Sequence, residues 1–362
     1  MALCVKTSIE PLFGGHLLAE WIREGGPPER RVPAHQLRLW WHAHWFEHNW
    51  RTQLHLLDKS RLPEEAVFIV GLWRSGTTAV HELLAAVTGW TTPNTWQCFN
   101  PSTCFLAPAP ALETFVERPM DKGRIATRSP QEDEFALLLL GEPSIYRGFI
   151  DPRRLHACAE AVWSAGDVRL DRWQEFLRGI MLEATDGRLL LKSPAHTFRL
   201  PLLQSLFPRA RFIWVARHVG EVLASNLKMW RAMTNRYALW ECPSAILESF
   251  LQGVLRACAL VLAQCLDEMP TERMLWVDFE ELRTAPGQVL GRVVAFLEPD
   301  SSGSPESCTR DLSEALARIP IHDGSRATVP ENEASLALER LMAAARLRFG
   351  DPLSATRRFH GT

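Results

Sequence analysis

The stretch Val67-Phe68-Ile69-Val70-Gly71-Leu72-Trp73-Arg74-Ser75-Gly76-Thr77-Thr78 decides the fold. Its first four residues form a short apolar run closed by a glycine, the pattern of a strand buried on both faces in a parallel sheet. From Thr78 to Val87 apolar side chains recur at Val80, Leu83, Leu84 and Val87, a helical period. Strand, glycine loop and helix in that order leave backbone N–H groups at a helix start, where the dipole draws an anion.

The same alternation recurs downstream. Leu189-Leu190-Leu191, Phe212-Ile213-Trp214-Val215-Ala216 and Met274-Leu275-Trp276-Val277 each read as a buried strand. Helical stretches follow them through Leu202–Leu206, through Val222–Trp230, and from Glu280 to Phe296-Leu297. Strands separated by helices imply an α/β fold, a P-loop-type parallel sheet flanked by helices. The expected organisation is a single α/β domain over residues 66–298 with a helical N-terminal extension over 1–65. That extension includes a tryptophan-rich helix from His35 to Leu57. Residues 299–362 are expected to supply a long surface loop, Pro299 to Pro330, and a final amphipathic helix, Glu331 to Arg348. In open α/β sheets ligands bind beyond the C-terminal ends of the strands. Gly71–Thr78, Lys192–His196, the neighbourhood of Arg217, and Asp278 are therefore the places to look.

The loop has the P-loop outline of Gly, four residues and Gly, but Thr77 occupies the lysine position and a cation, Arg74, sits inside the loop. Without that lysine the loop lacks the group that reaches the β- and γ-phosphates of a nucleoside triphosphate. It suits one phosphate with a group attached better than a triphosphate with magnesium.

Composition narrows the classes. The 362 residues carry 40 basic and 42 acidic side chains, a formal charge of −2. That balance argues against binding nucleic acid by backbone neutralisation, so any anionic ligand must be held by a local site. The eight cysteines include no Cys-x-x-Cys pair, and reduced thiols in a cytoplasmic protein are the expectation. No signal-like N-terminal stretch or uninterrupted apolar run of spanning length is read from the sequence, so no membrane span is expected. His44 and His48 lie four apart on one predicted helix face, but no third ligand has a fixed place, and no metal site is expected. Only five basic residues are lysines, Lys192 among them.

Phe68 to Thr78 resembles the 5′-phosphosulfate loop of sulfotransferases that use 3′-phosphoadenosine 5′-phosphosulfate (PAPS), in the broad bacterial branch that carries arginine in the loop. Ala210-Arg211-Phe212-Ile213-Trp214-Val215-Ala216-Arg217, with Glu221-Val222 and Ser225 after it, is similar to that family's 3′-phosphate signature. Leu190–His196, Ser129–Leu137 and Val277–Leu282 also look family-like. The resemblance implies PAPS as donor and PAP as product. It assigns the 5′ end to Arg74, Ser75, Gly76, Thr77 and Thr78, and the 3′-phosphate to Arg217 and Ser225. A strand-end guanidinium can fork a phosphate, which agrees with the place of Arg217.

Sulfuryl transfer to a hydroxyl needs a base for the acceptor proton and cations for the transferring group and the leaving phosphate. Arg74 and Lys192 are the candidate cations. His196 and Glu132 stand level as candidate bases, with Glu134 behind them. Gln97, where other branches of the family use a glutamate, cannot accept a proton usefully. The expected partner is a small, apolar hydroxyl acceptor; a homodimer is allowed, and no nucleic acid is expected. Two other functions stay open at this stage: a P-loop nucleotide kinase or NTPase, and a non-catalytic nucleotide-binding protein of the same fold.

Overall fold

The computed structural model describes residues 21–29, 46, 48–55, 57, 62–107, 109, 111, 113, 115–118, 120, 123–163, 169–182, 184, 187–298 and 332–350. These fall into two compact units. One holds the described residues of 1–62, 93–183 and 228–248, and the other those of 63–92, 184–227 and 249–362. His42, His44 and most of the expected His35–Leu57 helix lie outside the described residues, as does the expected loop from Pro299 to Pro330. Residues 48–54 are helical.

The second unit contains a four-stranded parallel sheet in the order β4 (Leu189–Lys192), β1 (Ala66–Val70), β5 (Arg211–Ala216), β6 (Met274–Asp278). β1 is central, pairing Phe68 with Leu191 on one side and with Phe212 on the other. Alternation along the strands divides their side chains between two layers. Val67, Ile69, Leu190, Ile213, Val215, Leu275 and Val277 share one core cluster with Val80, Leu83 and Leu84 of helix α1 (Thr77–Thr88). On the other layer Phe68 stacks on Phe212 with ring centres 5.6 Å apart, and Trp214 stacks on Trp276 at 6.0 Å. A strand dressed on both faces must be apolar throughout, which is why the decisive stretch reads as an unbroken run.

The sequence suggests one helix from Glu280 to Leu297; the structure has two. These are Phe279–Thr284, capped by the Asp278 side chain accepting from Glu280 N–H, and Pro286–Leu297. Pro286 has no N–H to continue the first helix and drives the preceding residue out of helical geometry. Ala285 is accordingly at φ −138°, ψ 56°. The final helix runs from Glu333 to Phe349 and is opened by a reciprocal capping box between Asn332 and Ser335.

In the first unit, Phe115–Glu117 and Arg124–Ala126 (β2 and β3) pair antiparallel, and the acidic segment runs into the start of helix Glu134–Leu140. Helix Val219–Tyr237 belongs to the second unit up to Leu227 and to the first from Lys228. Against the expectation of no spanning stretch, helix Ser244–Glu268 is long and apolar enough to cross a membrane, with mean hydropathy 1.7 over its best window. It also buries Leu247, Phe250, Leu251, Val254, Leu255, Cys258 and Leu262, the recurring stripe of a helix that packs on protein.

Candidate functional site

The loop leaves β1 at Gly71, whose φ is 132°. A Cβ there would run into the Val215 carbonyl oxygen, so only glycine passes between the two strands. Its backbone is clamped by the buried Thr197 hydroxyl, which accepts from Gly71 N–H (2.8 Å) and donates to Gly71 C=O (3.0 Å). A turn follows, closed by Ser75 N–H donating to Leu72 C=O at 3.2 Å. Its third residue, Arg74, has φ 70°, the mark of a type II turn, where glycine or asparagine is usual. A left-handed arginine costs about 1–2 kcal/mol, so other contacts must hold it. Two do: Asn226 Nδ2 donates to Trp73 C=O (2.6 Å), and Arg74 Nε donates to Ser225 Oγ (3.1 Å).

Gly76 then opens α1 at φ 103° against the ring of Phe279, which leaves no room for a Cβ. It makes no side-chain cap, so α1 begins with donors that no capping group takes. Thr77 is buried at the first helical position. Ser75 Oγ is buried with no hydrogen-bond partner in the protein. A buried orphan hydroxyl costs about 1–3 kcal/mol, and its place inside an N–H-rich loop leaves it able to meet an anion.

Lys192 ends β4 beside this loop, only 3% exposed, with Nζ 3.5 Å from Thr78 Oγ1. The lysine missing from the loop itself is thus matched by one from the neighbouring strand. One turn into α1, His81 is fully buried and shares a 2.7 Å hydrogen bond between Nε2 and Thr92 Oγ1. Burial holds its imidazole well below the ordinary value of 6.5, and the charge of Lys192 adds to the effect.

Arg217 follows β5 as expected, but with two contacts that no sequence reading supplied. Its Nε donates to Glu221 Oε2 at 2.8 Å, and its guanidinium carbon lies 4.9 Å from the centre of the Phe279 ring. Nη2 is 2.6 Å from the same carboxylate oxygen as an ion pair, yet lacks hydrogen-bond geometry and is otherwise orphaned. Ser225, assigned to the 3′-phosphate by resemblance, here accepts from Arg74. The structure therefore brings Arg74 to Ser225 and Lys192 to Thr78.

The candidate bases differ in surroundings. His196, in the turn Pro194–Arg199, has no exposed surface. It meets Phe68 edge-on at 5.6 Å and has Nδ1 3.5 Å from Arg199 Nη1. The acidic segment belongs to the first unit, where each carboxylate accepts a side-chain hydrogen bond: Glu132 from Tyr146 O–H, Asp133 from Trp173 Nε1–H (2.8 Å), Glu134 from Ser144 O–H (2.7 Å). Glu134 opens helix Glu134–Leu140 and is fully buried, whereas Glu132 keeps 7% of its surface. Gln97 completes a capping box with Asn94, its Oε1 accepting from Asn94 N–H at 2.9 Å. Among the described residues no group of three or more His, Cys, Asp or Glu could hold a metal ion.

Comparison with known proteins identifies the family and the fold. The family model described as "Sulfotransferase family" matches residues 66–301. Over 187 residues the chain is 32% identical to proteins from Mycobacterium bovis and Mycobacterium tuberculosis named omega-hydroxy-beta-dihydromenaquinone-9 sulfotransferase Stf3. The match covers 49% of this chain and 48% of theirs, so the chain spans about half the length of the curated relatives it matches. The crystal structure of sulfotransferase STF1 from Mycobacterium tuberculosis H37Rv superposes with a TM-score of 0.59 at 16% identity, covering 91% of this chain and 93% of that one. Sulfotransferase STF9 from Mycobacterium avium gives 0.56 at 16% identity, over 96% and 98%. These likenesses establish the α/β fold, and the extent of the family match settles membership: the chain belongs to the sulfotransferase family.

Proposed function

We propose that this protein transfers the sulfuryl group of PAPS to a hydroxyl of an apolar small molecule. The observation that carries this reading is the loop: a lysine-less glycine cradle with an orphaned, buried Ser75 hydroxyl, flanked by Lys192 from the next strand. The residues present fit the donor. Ser75, Gly76, Thr77 and Thr78 would hold its 5′ end through loop and helix N–H groups, with Arg74 and Lys192 supplying positive charge. Arg217 and Ser225 would hold its 3′-phosphate, Phe279 supporting the guanidinium from below. When bound, PAPS supplies the sulfuryl group and a phosphate able to leave.

The chain's own work is to neutralise charge and to take a proton. Arg74 and Lys192 counter the charge that develops as the phosphate departs, a preorganised arrangement that costs no rearrangement during reaction. Of the two bases the sequence left level, local surroundings favour Glu132. Glu132 keeps 7% of its surface and its carboxylate is oriented by Tyr146, whereas His196 has no exposed surface and lies against Phe68 beside a guanidinium. The acceptor class follows the relatives, whose name specifies a hydroxy-dihydromenaquinone, a hydroxyl carried on an apolar body.

The test is release of PAP from PAPS in the presence of a hydrophobic primary alcohol, with EDTA throughout. The unmodified protein turns over with the chelator present, while Lys192→Ala and Glu132→Gln each lose about 100-fold or more in kcat. Full activity of Glu132→Gln with loss in His196→Gln would reverse the choice of base. Dependence on magnesium would count against the reading as a whole.

A further inference from the structure

We infer that Asn226 is a positioning residue that fixes which face of the Trp73–Arg74 peptide the phosphate loop turns to its anion. The inference rests on the reading of Gly71–Thr78 as the 5′ end of the donor site, and it concerns a residue that neither phosphate signature contains.

Asn226 is buried in helix Val219–Tyr237, one position after Ser225. Its Nδ2 donates to Trp73 C=O at 2.6 Å and to Val222 C=O at 2.8 Å, using both amide protons. Consecutive residues of the helix, Ser225 and Asn226, thus meet consecutive residues of the loop, Arg74 and Trp73.

The turn closed between Leu72 and Ser75 has two forms related by rotation of its central peptide, the one between Trp73 and Arg74. In the type I form Arg74 would have negative φ and no strain; the observed φ of 70° belongs to type II. The two forms point the Trp73 carbonyl in opposite directions. A donor aimed at that carbonyl selects one of them, and the short Asn226 contact selects the strained one. Every described peptide bond is trans, and in a planar trans peptide C=O and N–H point opposite ways. Pinning the Trp73 carbonyl toward the helix therefore turns the Arg74 N–H away from it. Released, the peptide can rotate, exchanging an N–H for a carbonyl oxygen on the side that N–H now faces. An oxygen there would repel a phosphate instead of binding it.

Asn226→Leu keeps the side chain's size and removes both donors; Asn226→Ala removes them without adding bulk. Isothermal titration of the 362-residue chain with PAP and with adenosine 3′-monophosphate separates the two ends of the ligand. In the unmodified protein the affinity ratio of the two ligands measures the contribution of the 5′ end. Both variants are expected to lose about tenfold or more in PAP affinity while binding adenosine 3′-monophosphate as before, because the peptide they free faces only the 5′ end. A residue that merely stabilised the fold would weaken both ligands together or neither. Unchanged PAP affinity in a folded variant, parallel losses for both ligands, or failure of both variants to fold would overturn the inference. Failure of the unmodified protein to prefer PAP over adenosine 3′-monophosphate would instead overturn the functional reading beneath it.

Discussion

His81 shows how a single residue's surroundings become a measurable property of the protein. Its imidazole is held neutral chiefly by burial and secondarily by Lys192, so the folded state resists a proton that the unfolded chain accepts near pH 6.5. The unfolded state then binds more protons below that pH, and stability must fall as pH drops from about 6.5 toward the depressed folded value. Above that range both states are neutral and the residue adds no pH dependence. His81→Gln, which can keep a hydrogen bond to Thr92, should flatten this part of the stability–pH curve in urea titrations between pH 7 and pH 5. An identical slope in the variant would show that another group is responsible. At the same scale, Arg74, Lys192 and Arg217 stand out in the sequence as candidates because charged residues at or soon after the ends of buried strands are few. Thr197 and Asn226 were not, because a clamp on a backbone carbonyl depends on which chain segment folds next to it. Neither residue type nor spacing reports that. The partnership of Gln97 with Asn94 was readable, since Asn-x-x-Gln ahead of an apolar residue is a capping pattern.

Elements were read more surely than their ends and joints. All four strands of the sheet lie where apolar runs placed them, because a strand covered on both faces leaves no freedom in its pattern. The break at Pro286 was missed because the apolar period continues across it, although proline chemistry alone forbids a continuous helix. The loop between β1 and α1 is the joint on which the proposed donor site rests, and its two glycines are used differently. Gly71 yields to a backbone carbonyl and Gly76 to the ring of Phe279. Gly76→Ala combines a positive φ with that clash, and should destabilise the protein by about 1–3 kcal/mol. It should also displace Phe279, the ring beneath Arg217, so that PAP binding weakens at temperatures where the variant remains folded. Denaturant unfolding and PAP titration of this one variant check both effects; normal stability with normal binding would mean the loop is looser than its packing implies.

At the scale of the whole molecule, the near-neutral charge of −2 would leave recognition of the proposed donor, which is highly charged, to a few local cations. Those cations stand at the ends of neighbouring strands of one sheet, β4, β1 and β5, within one of the two compact units. The division into two interleaved units was not legible in sequence, because the segments of each unit are separated by segments of the other and share no compositional signature. Family membership was legible, since the loop and the Arg217–Ser225 segment are local strings. The proposed function requires this sheet to grip one adenosine by phosphates at both its 3′ and 5′ positions. The most direct measurement is thermal unfolding with PAP, 5′-AMP, adenosine 3′-monophosphate or magnesium ATP at equal concentration. PAP should raise Tm most, adding about 2.7 kcal/mol of stability at roughly 100 times its Kd, with the gain reduced to that of 5′-AMP in Arg217→Ala. A larger shift with magnesium ATP, or a PAP shift that Arg217→Ala leaves intact, would contradict it.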